Sequence, residues 1–347
     1  MYQECEQLAQ QIRIDCLRMV HGGRSGHIGS MLSCAEILAV LYRKTLNLTP
    51  DDPRKPDRDR LIFSKGHGGA AVFATLAELG YNGKVLAGGQ SLIAAMNFRM
   101  ARPAALVDLN NITELSYIKP AEDGGLAIGT MTRVYQVEHD AEVIKRFPLI
   151  PEVTHFIGHT QIRRRGTFGG AIAHADPSGQ LPAIAMVMNA KCLIRGKGKE
   201  RWVDAKDLII GPFMTVIEYE EMLTEVVLPA NPPRTGSSYQ QVARQNGGYA
   251  LAAVTSVVTL DDKGRCESVR MILMGVGEMP ILSAKVSGML VGQEANDGLF
   301  KEIGEAVQSE IDPANDLNGT AEYRRDLIRV LVSRSLNTAF DRAKKGS

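Results

Sequence analysis

The sequence predicts an α+β protein of two or three domains, with a helical N-terminal segment and a C-terminal antiparallel sheet followed by helices. A chain of 347 residues exceeds the usual size of one domain. Its first twenty residues repeat apolar side chains at helical spacing, whereas the middle holds short apolar runs of strand length between turn residues. Three strand-like runs and then two helical patterns close the chain.

The N-terminal segment is expected to begin with an amphipathic helix that ends before Gly22. Its inward stripe consists of Cys5, Leu8, Ile12, Cys16 and Met19. A second helix is predicted to begin at Ser33, because Glu36 follows it at the spacing of a capping box. The residues expected to face inward on this helix are Ile37, Val40 and Leu41. A loop rich in proline and charge follows over residues 49–60.

The middle of the chain reads as short strands around one helical region. The strand Val85–Ala87 leads directly into a pair of glycines, and Ser91 is placed to start the next helix. Further strands are predicted over residues 106–109, 115–118, 126–129, 186–194 (with a break at 189–191) and 222–228. The helical region opens over residues 131–137.

A proline-rich stretch over residues 229–236 is predicted to link the middle of the chain to a C-terminal domain. Residues 237–242, 252–260 and 267–274 are expected to form a three-stranded antiparallel sheet. Two helices follow, with inward faces at Leu299, Ile303 and Val307 and at Ile328, Leu331, Val332 and Leu336.

The composition argues against several classes of function. A net charge of +1, from 40 basic and 39 acidic side chains, gives no field to attract nucleic acid or a membrane surface. The five cysteines lack the close spacing that zinc or iron–sulfur clusters require, so no metal site is expected. No apolar stretch has the length of a membrane span, and nothing at the N-terminus resembles a signal peptide. These observations predict a cytoplasmic protein with reduced thiols.

Two glycine turns about eighty residues apart suggest that one diphosphate is held from two sides. Consecutive N–H groups at such turns form a concave anion nest, which a Cβ would obstruct. The first turn comprises Ala87, Gly88, Gly89, Gln90, Ser91 and Leu92. The second comprises Gly166, Thr167, Phe168, Gly169 and Gly170. Neither matches the dinucleotide fingerprint Gly-x-Gly-x-x-Gly or a P-loop.

Five ordered motifs carry a family resemblance. They are Ala-Gly-Gly-Gln-Ser-Leu-Ile at 87–93, Asn-Phe-Arg at 97–99, Leu-Val-Asp-Leu at 106–109, Ile-Gly-His-Thr-Gln-Ile-Arg at 157–163 and His-Ala-Asp-Pro at 174–177. From about Gly83 onward the chain resembles the FAD-binding medium subunit of molybdenum-containing hydroxylases. The resemblance implies a two-part FAD-binding domain over 82–230, with a small α/β subdomain and a larger mixed sheet. It also implies a C-terminal flavoprotein domain over 236–343.

The same resemblance implies that FAD is bound by the two glycine turns together with Asp176 and Gln180. Gln180 and Gly248 stand where the family usually has acidic residues. In this family a molybdopterin-binding large subunit oxidises the substrate and a small subunit carries two [2Fe–2S] clusters. The flavin subunit then passes electrons to an external acceptor. No catalytic acid, base or nucleophile is therefore expected on this chain.

The first 81 residues resemble the start of a transketolase. The resemblance rests on Ser-Gly-His-Ile-Gly-Ser at 25–30, Arg-Asp-Arg at 58–60 and Ser-Lys-Gly-His at 64–67. In that family two histidines in these motifs line the thiamine diphosphate channel, so His27 and His67 are the corresponding residues. A helix over 68–81 is expected to replace the helix that leads into the first glycine turn of medium subunits. Two alternative functions therefore stay open: a fragment of a thiamine-dependent enzyme, and a flavin-free assembly subunit.

Two other clusters receive ordinary structural interpretations. The run Arg163–Arg165 is typical of a solvated or subunit-facing surface. His155 and His159 have the spacing of zinc ligands on one helix face, but Gly158 weakens a helix there.

Overall fold

A computed structural model describes residues 3–23, 28–48, 59, 61–63, 71–72, 75, 83–103, 105–196 and 198–346. The helices are α1 (Gln3–Gly23), α2 (Ile28–Leu32), α3 (Ala35–Val40), α4 (Leu92–Asn97), α5 (Val134–His139), α6 (Ala141–Arg146), α7 (Leu149–Thr154), α8 (Thr160–Arg165), α9 (Phe168–His174), α10 (Gln180–Val187), α11 (Ala205–Leu208), α12 (Ala284–Leu290), α13 (Asp297–Ala306) and α14 (Ala321–Lys345).

Strands of the N-terminal and middle parts are β1 (Ile62–Phe63), β2 (Gly83–Leu86), β3 (Ala105–Asp108), β4 (Ile118–Pro120), β5 (Leu126–Gly129), β6 (Lys191–Gly196), β7 (Lys199–Asp204), β8 (Ile209–Gly211), β9 (Met214–Thr215) and β10 (Met222–Leu228). Strands of the C-terminal part are β11 (Thr235–Ala243), β12 (Ala250–Leu260), β13 (Cys266–Met274) and β14 (Ile281–Leu282).

The N-terminal helix is confirmed, although it continues to Gly23 instead of ending before Gly22. Of its predicted stripe, Cys5 and Leu8 are buried, and Ile12 and Cys16 are fully buried. The last three share a core with α3 and with Val107 of the small sheet. The N-terminal segment is therefore packed into the fold.

The prediction for the second helix is wrong in its start and in its face. Cys34 is the N-cap of α3 and makes no side-chain capping bond, so the helix begins later than the capping-box pattern at Ser33 predicts. Ala35, Leu38 and Ala39 are buried, whereas Ile37 is 60% exposed and Val40 is 42% exposed. The inward stripe follows small residues because α1 packs closely against this face.

A three-stranded parallel sheet lies under the first glycine turn, in the order β1-β3-β2. Its edge strand β1 comes from the transketolase-like segment, where no strand was predicted. Ile62 pairs with Leu106, and Phe63 pairs with Val107. Ala71, Val72 and Thr75 are helical, and the rest of the helix predicted over 68–81 lies outside the described residues.

The larger sheet of the middle part has the order β4-β5-β10-β6-β7, and its paired strands are antiparallel. Two sequence predictions were wrong here. Residues Thr113–Leu115 form a 3₁₀ turn, so the strand predicted over 115–118 starts only at Ile118. Met186 and Val187 end the fully buried helix α10, and the strand begins at Lys191. A short apolar run fits a buried helix as well as a strand.

The C-terminal sheet has the order β11-β12-β13-β14, so the predicted antiparallel sheet is confirmed and gains a short fourth strand. The long helix α14 packs along β11 and β12. The opposite face of this sheet shares a core with α10, through residues that include Tyr239 and Met274. No helix in the described part of the chain is long and apolar enough to cross a membrane.

Candidate functional site

The first glycine turn follows β2 and leads into the short helix α4. Gly89 has φ = +75°, a conformation that L side chains rarely adopt. Within the described residues, the backbone N–H groups of Gly88, Gly89 and Gln90 have no hydrogen-bond acceptor. Ser91 is the N-cap of α4, but its side chain makes no capping bond. The turn therefore presents unused donors, as an anion nest requires.

The second glycine turn connects α8 to α9, and only some of its N–H groups are unused. Phe168 N–H donates to the Thr132 carbonyl at 2.8 Å, and Gly169 N–H donates to the Thr130 carbonyl at 3.0 Å. These two bonds hold the turn in place, so both N–H groups already have acceptors within the protein. Thr167 and Gly170 keep their N–H groups unpaired among the described residues.

The hydroxyl of Thr167 is the most informative atom in this turn. Thr167 is 2% exposed, and its Oγ1 has no hydrogen-bond partner in the described structure. A buried polar atom without a partner costs about 1 to 3 kcal/mol, and this one lies at the contact between the two turns, where it is available to a ligand. A side chain at Gly170 would clash with this oxygen. The absence of a Cβ at Gly170 thus keeps the space beside the hydroxyl open.

The two turns touch each other. A Cβ on Gly88 would clash with the Arg165 carbonyl and would lie 2.7 Å from the Cα atom of Gly166. A Cβ on Gly170 would lie 3.1 Å from the Cβ of Ala87. The convergence that the sequence suggested is therefore present, and glycine is required at both points of approach.

At Gly89 a Cβ would point toward α4, and not into the anion nest that a side chain in this turn was expected to obstruct. A side chain there would lie 3.0 Å from the Cγ1 atom of Ile93 and 3.3 Å from the Cδ1 atom of Leu86. Gly89→Val would therefore perturb the turn through backbone strain and contact with α4, and not by filling the space between the turns.

Sequence reasoning missed two polar residues that join the turns. Asn110 Nδ2 donates to the Ala87 carbonyl at 2.9 Å, next to the first glycine pair. Arg133 Nη2 donates to Asn110 Oδ1 at 2.7 Å, and Arg133 Nη1 donates to the Arg165 carbonyl at 2.5 Å. Neither residue lies in a glycine motif, so no local signal in the sequence marks it.

Asp176 lies in a turn after α9 and contacts the C-terminal domain. Its Oδ1 accepts the Ser178 N–H at 2.9 Å, and its Oδ2 accepts the Tyr249 hydroxyl at 3.1 Å. Burial and the neighbouring Asp176 carboxylate raise the pKa of Tyr249. Tyr249 and Gly248 line a cavity of about 640 Å³ that also includes Ser178. Tyr249, which the sequence did not single out, therefore joins the two domains beside a cavity.

Gln180 is buried at the start of α10, and the structure places its side chain among other polar groups. Its Nε2 lies 3.5 Å from Gln241 Oε1, which also accepts the Tyr239 hydroxyl at 2.5 Å. Its role in cofactor binding stays a prediction.

The three arginines before the second turn have separate roles. Arg163 is buried and its Nε donates to Glu138 Oε2 at 2.8 Å, so it is not a solvated residue. The Arg164 guanidinium stacks on the Tyr135 ring at 4.4 Å. Arg165 is exposed and contributes its carbonyl to the contact between the turns.

The histidines give no joint site among the described residues. His155 follows the end of α7, and His159 is the extended N-cap of α8, so they do not share a helix. No group of three metal-binding side chains occurs in the described parts of the chain. His27 and His67 lie outside the described residues.

Three known family models match the chain, and two of the matched ranges overlap at residues 70–87. Residues 70–231 match the FAD binding domain in molybdopterin dehydrogenase. Residues 237–339 match the CO dehydrogenase flavoprotein C-terminal domain. Residues 5–87 match the thiamine diphosphate binding domain of transketolase. Both resemblances stated from the motifs are thereby confirmed.

Known relatives cover most of the chain beyond its N-terminal segment. The 6-hydroxypseudooxynicotine dehydrogenase complex subunit alpha of Paenarthrobacter nicotinovorans is 34% identical over 78% of this chain and 90% of its own length. The carbon monoxide dehydrogenase medium chain of Hydrogenophaga pseudoflava is 33% identical over 79% of this chain and 94% of its own length.

Solved structures agree with the sequence relatives. Carbon monoxide dehydrogenase from Hydrogenophaga pseudoflava superimposes with a TM-score of 0.75 at 32% identity, over 78% of this chain and 93% of that chain. Quinoline 2-oxidoreductase from Pseudomonas putida 86 gives a TM-score of 0.71 at 30% identity, over 75% of this chain and 90% of that chain.

The fold and the paired glycine turns define a flavoprotein subunit of an oxidoreductase. The chain belongs to the family of FAD-binding medium subunits of molybdenum hydroxylase-type dehydrogenases. Its cofactor is FAD, so the flavin-free alternative is set aside. The unpartnered Thr167 hydroxyl and the space that a Cβ on Gly170 would fill fit a phosphate group.

Proposed function

We propose that this chain is the electron-transfer subunit of a molybdenum hydroxylase complex, and that the contact between its two glycine turns is the diphosphate site of FAD. The observation that carries the site is the buried Thr167 hydroxyl without a partner, facing a space that Gly170 leaves open. The N–H groups of Gly88, Gly89 and Gln90, which have no acceptor among the described residues, lie on the other side of the contact between the turns.

In the proposed site, backbone donors and one hydroxyl hold the diphosphate without a metal ion. The donors are the N–H groups of Gly88, Gly89, Gln90, Thr167 and Gly170 with the Thr167 hydroxyl. Gly166, Phe168 and Gly169 shape the second turn, whereas Ala87, Ser91 and Leu92 flank the first. Each hydrogen bond to a charged group contributes about 1.5 to 3 kcal/mol, so this set supports tight non-covalent binding.

We assign Asp176 and Gln180 to the remainder of the cofactor site. Asp176 reaches it through the Tyr249 hydroxyl at the edge of the 640 Å³ cavity. The bound FAD supplies the redox chemistry, and the protein contributes orientation, hydrogen bonds and exclusion of water. No residue of this chain acts as a general acid, base or nucleophile in the proposal.

The proposed partners are a molybdopterin-binding large subunit and a small subunit with [2Fe–2S] clusters. The relatives carry names such as medium chain and complex subunit alpha, which supports an assembly of several subunits. Electrons would enter from the clusters of the small subunit and leave to an external acceptor. All five cysteines are buried and form no disulfide, which favours a reducing compartment, the cytoplasm, for this assembly.

For the transketolase-like segment we propose a structural role within this flavoprotein. Its helix α1 contributes to the core beneath the small sheet, and its strand β1 forms the edge of that sheet. A thiamine-dependent activity finds no specific support in the described residues of this segment.

Gly170→Ala tests the proposed diphosphate site. The added methyl group would press on the Thr167 hydroxyl, and losing one or two charged hydrogen bonds should weaken FAD binding about 10- to 100-fold. Flavin fluorescence titration of the full-length apoprotein measures the affinity. Gly288→Ala is the matched control, because nothing lies within 4 Å of a Cβ there. Unchanged affinity in Gly170→Ala would overturn the site.

Electron transfer is tested with the FAD-loaded chain and a reduced small subunit of the same complex. Mixing under anaerobic conditions should bleach the visible flavin band, and an added acceptor should restore it. A flavin band that stays oxidised although the two subunits bind each other would contradict the proposed role.

A further inference from the structure

The two glycine turns are connected by a chain of hydrogen bonds that runs through Arg133. The Arg133 guanidinium donates to the Arg165 carbonyl at 2.5 Å with one nitrogen and to Asn110 Oδ1 at 2.7 Å with the other. Asn110 in turn donates to the Ala87 carbonyl at 2.9 Å. The forked geometry of a guanidinium is what permits both bonds at once.

The backbone of Arg133 is also paired with the second turn. Arg133 forms an antiparallel bridge with Thr167, in which Val134 N–H donates to the Gly166 carbonyl at 3.0 Å. Asn110 is held in place independently, because its backbone N–H donates to Asp108 Oδ1 at 2.9 Å. The guanidinium therefore bridges two supports that are fixed before any cofactor arrives.

The Arg165 carbonyl lies at the contact between the two turns, close to the proposed diphosphate site. A Cβ on Gly88 would clash with it. A carbonyl oxygen carries partial negative charge, and close to a diphosphate it would oppose binding. The bond from Arg133 offsets this charge and adds a cation beside the contact between the turns.

We propose that Arg133 is a positioning residue for the cofactor, which fixes the gap between the two glycine turns through Asn110 and the Arg165 carbonyl and supplies countercharge to the FAD diphosphate. The proposal rests on the diphosphate site described above. It adds to that site a cation that belongs to neither glycine motif.

The electrostatic surroundings of Arg133 agree with an anion nearby. Burial lowers the pKa of Arg133, the neighbouring Arg165 guanidinium lowers it further, and Asp108 acts in the opposite direction. Two guanidinium groups close together repel each other, and a bound diphosphate would relieve that repulsion.

The test compares Arg133→Met with Arg133→Lys in the full-length apoprotein titrated with FAD. Arg133→Met should weaken FAD binding about 10- to 100-fold, because a charge and two hydrogen bonds are lost. Arg133→Lys should recover part of the affinity, since it keeps the charge but not the fork. Arg334→Met, at an exposed position on α14, is the control for loss of one arginine.

Salt dependence separates the proposed role from a merely structural one. FAD affinity of the wild type and of Arg133→Lys should fall with ionic strength more steeply than that of Arg133→Met. The apoproteins of the wild type, Arg133→Lys and Arg133→Met should each show one cooperative melting transition, so that the affinities are compared on folded protein. Equal salt slopes, or wild-type affinity in Arg133→Met, would overturn the proposal.

Further variants distinguish a failure of the proposed role of Arg133 from a failure of the diphosphate site. If Arg133→Met does not fold, Asn110→Ala tests the link to Ala87 and should weaken FAD binding about 3- to 10-fold; no effect would count against the proposal. If Gly170→Ala loses FAD while Arg133→Met does not, only the role of Arg133 fails. If both bind FAD normally, the diphosphate site itself fails.

Discussion

At the scale of single residues, glycines mark the cofactor site, and the side chains that align them are hidden from sequence inspection. The paired glycines are visible because few other residues permit such close backbone approach. In the sequence, Asn110 and Arg133 belong to no motif that marks a binding site. Only the folded chain brings both beside residues 87 and 165. Their contribution could not be read from local spacing.

Burial also sets the chemistry of the cysteines. It raises the pKa values of Cys16, Cys192 and Cys266 to about 12. We predict that these thiols do not react with iodoacetamide at neutral pH in the folded protein and react rapidly in urea. Mass spectrometry of labelled peptides measures this. Fast labelling of Cys192 in the native state would contradict the predicted burial.

The same shifts predict a dependence of stability on pH. The thiols ionise near pH 9 in the unfolded chain and near pH 12 in the folded one, so the unfolded chain binds fewer protons between these values. The free energy of unfolding should therefore fall as pH rises above about 9. Thermal melts from pH 8 to pH 10.5, compared with a Cys192→Ala variant, would reveal a shallower fall in the variant.

At the scale of elements, the spacing of apolar residues and the local composition predicted the longer helices and strands. They did not predict which face of a short helix is buried. The C-terminal strands stand out because they are long and separated by turns. In contrast, α3 buries Ala35 and Ala39 and exposes Ile37, since close packing against α1 favours small side chains. Similarly, α10 is apolar all round, which removes the periodic signal that distinguishes a helix from a strand.

Two substitutions test how much the buried side chains of the N-terminal segment contribute to the stability of the protein. Ile12 is fully buried in the core shared with the small sheet, so Ile12→Ala should cost about 2 to 5 kcal/mol in the free energy of unfolding. The affinity of the Ile12→Ala variant for FAD should also fall, because the same core supports the small sheet. Ile37→Ala, at a 60% exposed position, should change stability by less than about 0.5 kcal/mol. Chemical denaturation followed by circular dichroism gives both values, and equal effects would contradict the assigned helix face.

At the scale of the whole molecule, the flavin-binding part and the C-terminal part share one core. Tyr239 and Met274 of the C-terminal sheet belong to the same apolar cluster as the helix α10. Arg342 of α14 pairs with Glu152 of α7 at 2.5 Å. The sequence indicated two domains with a linker, since a proline-rich stretch separates them. It could not indicate that both sides of that stretch contribute to a single interior.

We therefore predict that the two parts unfold together. Calorimetry of the full chain should give one transition, with equal calorimetric and van't Hoff enthalpies. Tyr239→Ala should lower the melting temperature of that single transition without splitting it. Two separate transitions in the wild type would show that the shared core does not couple the parts.

The two-residue strand β1 pairs with β3 through main-chain amides, whereas the rest of the N-terminal segment meets the small sheet through packed apolar side chains. The ladder is formed by peptide groups common to all sequences, so it constrains side-chain identity less than the packed core does. A different N-terminal segment could therefore take this edge only if it also supplied apolar side chains to the core around Val107. Protein engineers could use that edge as a grafting point for new N-terminal modules.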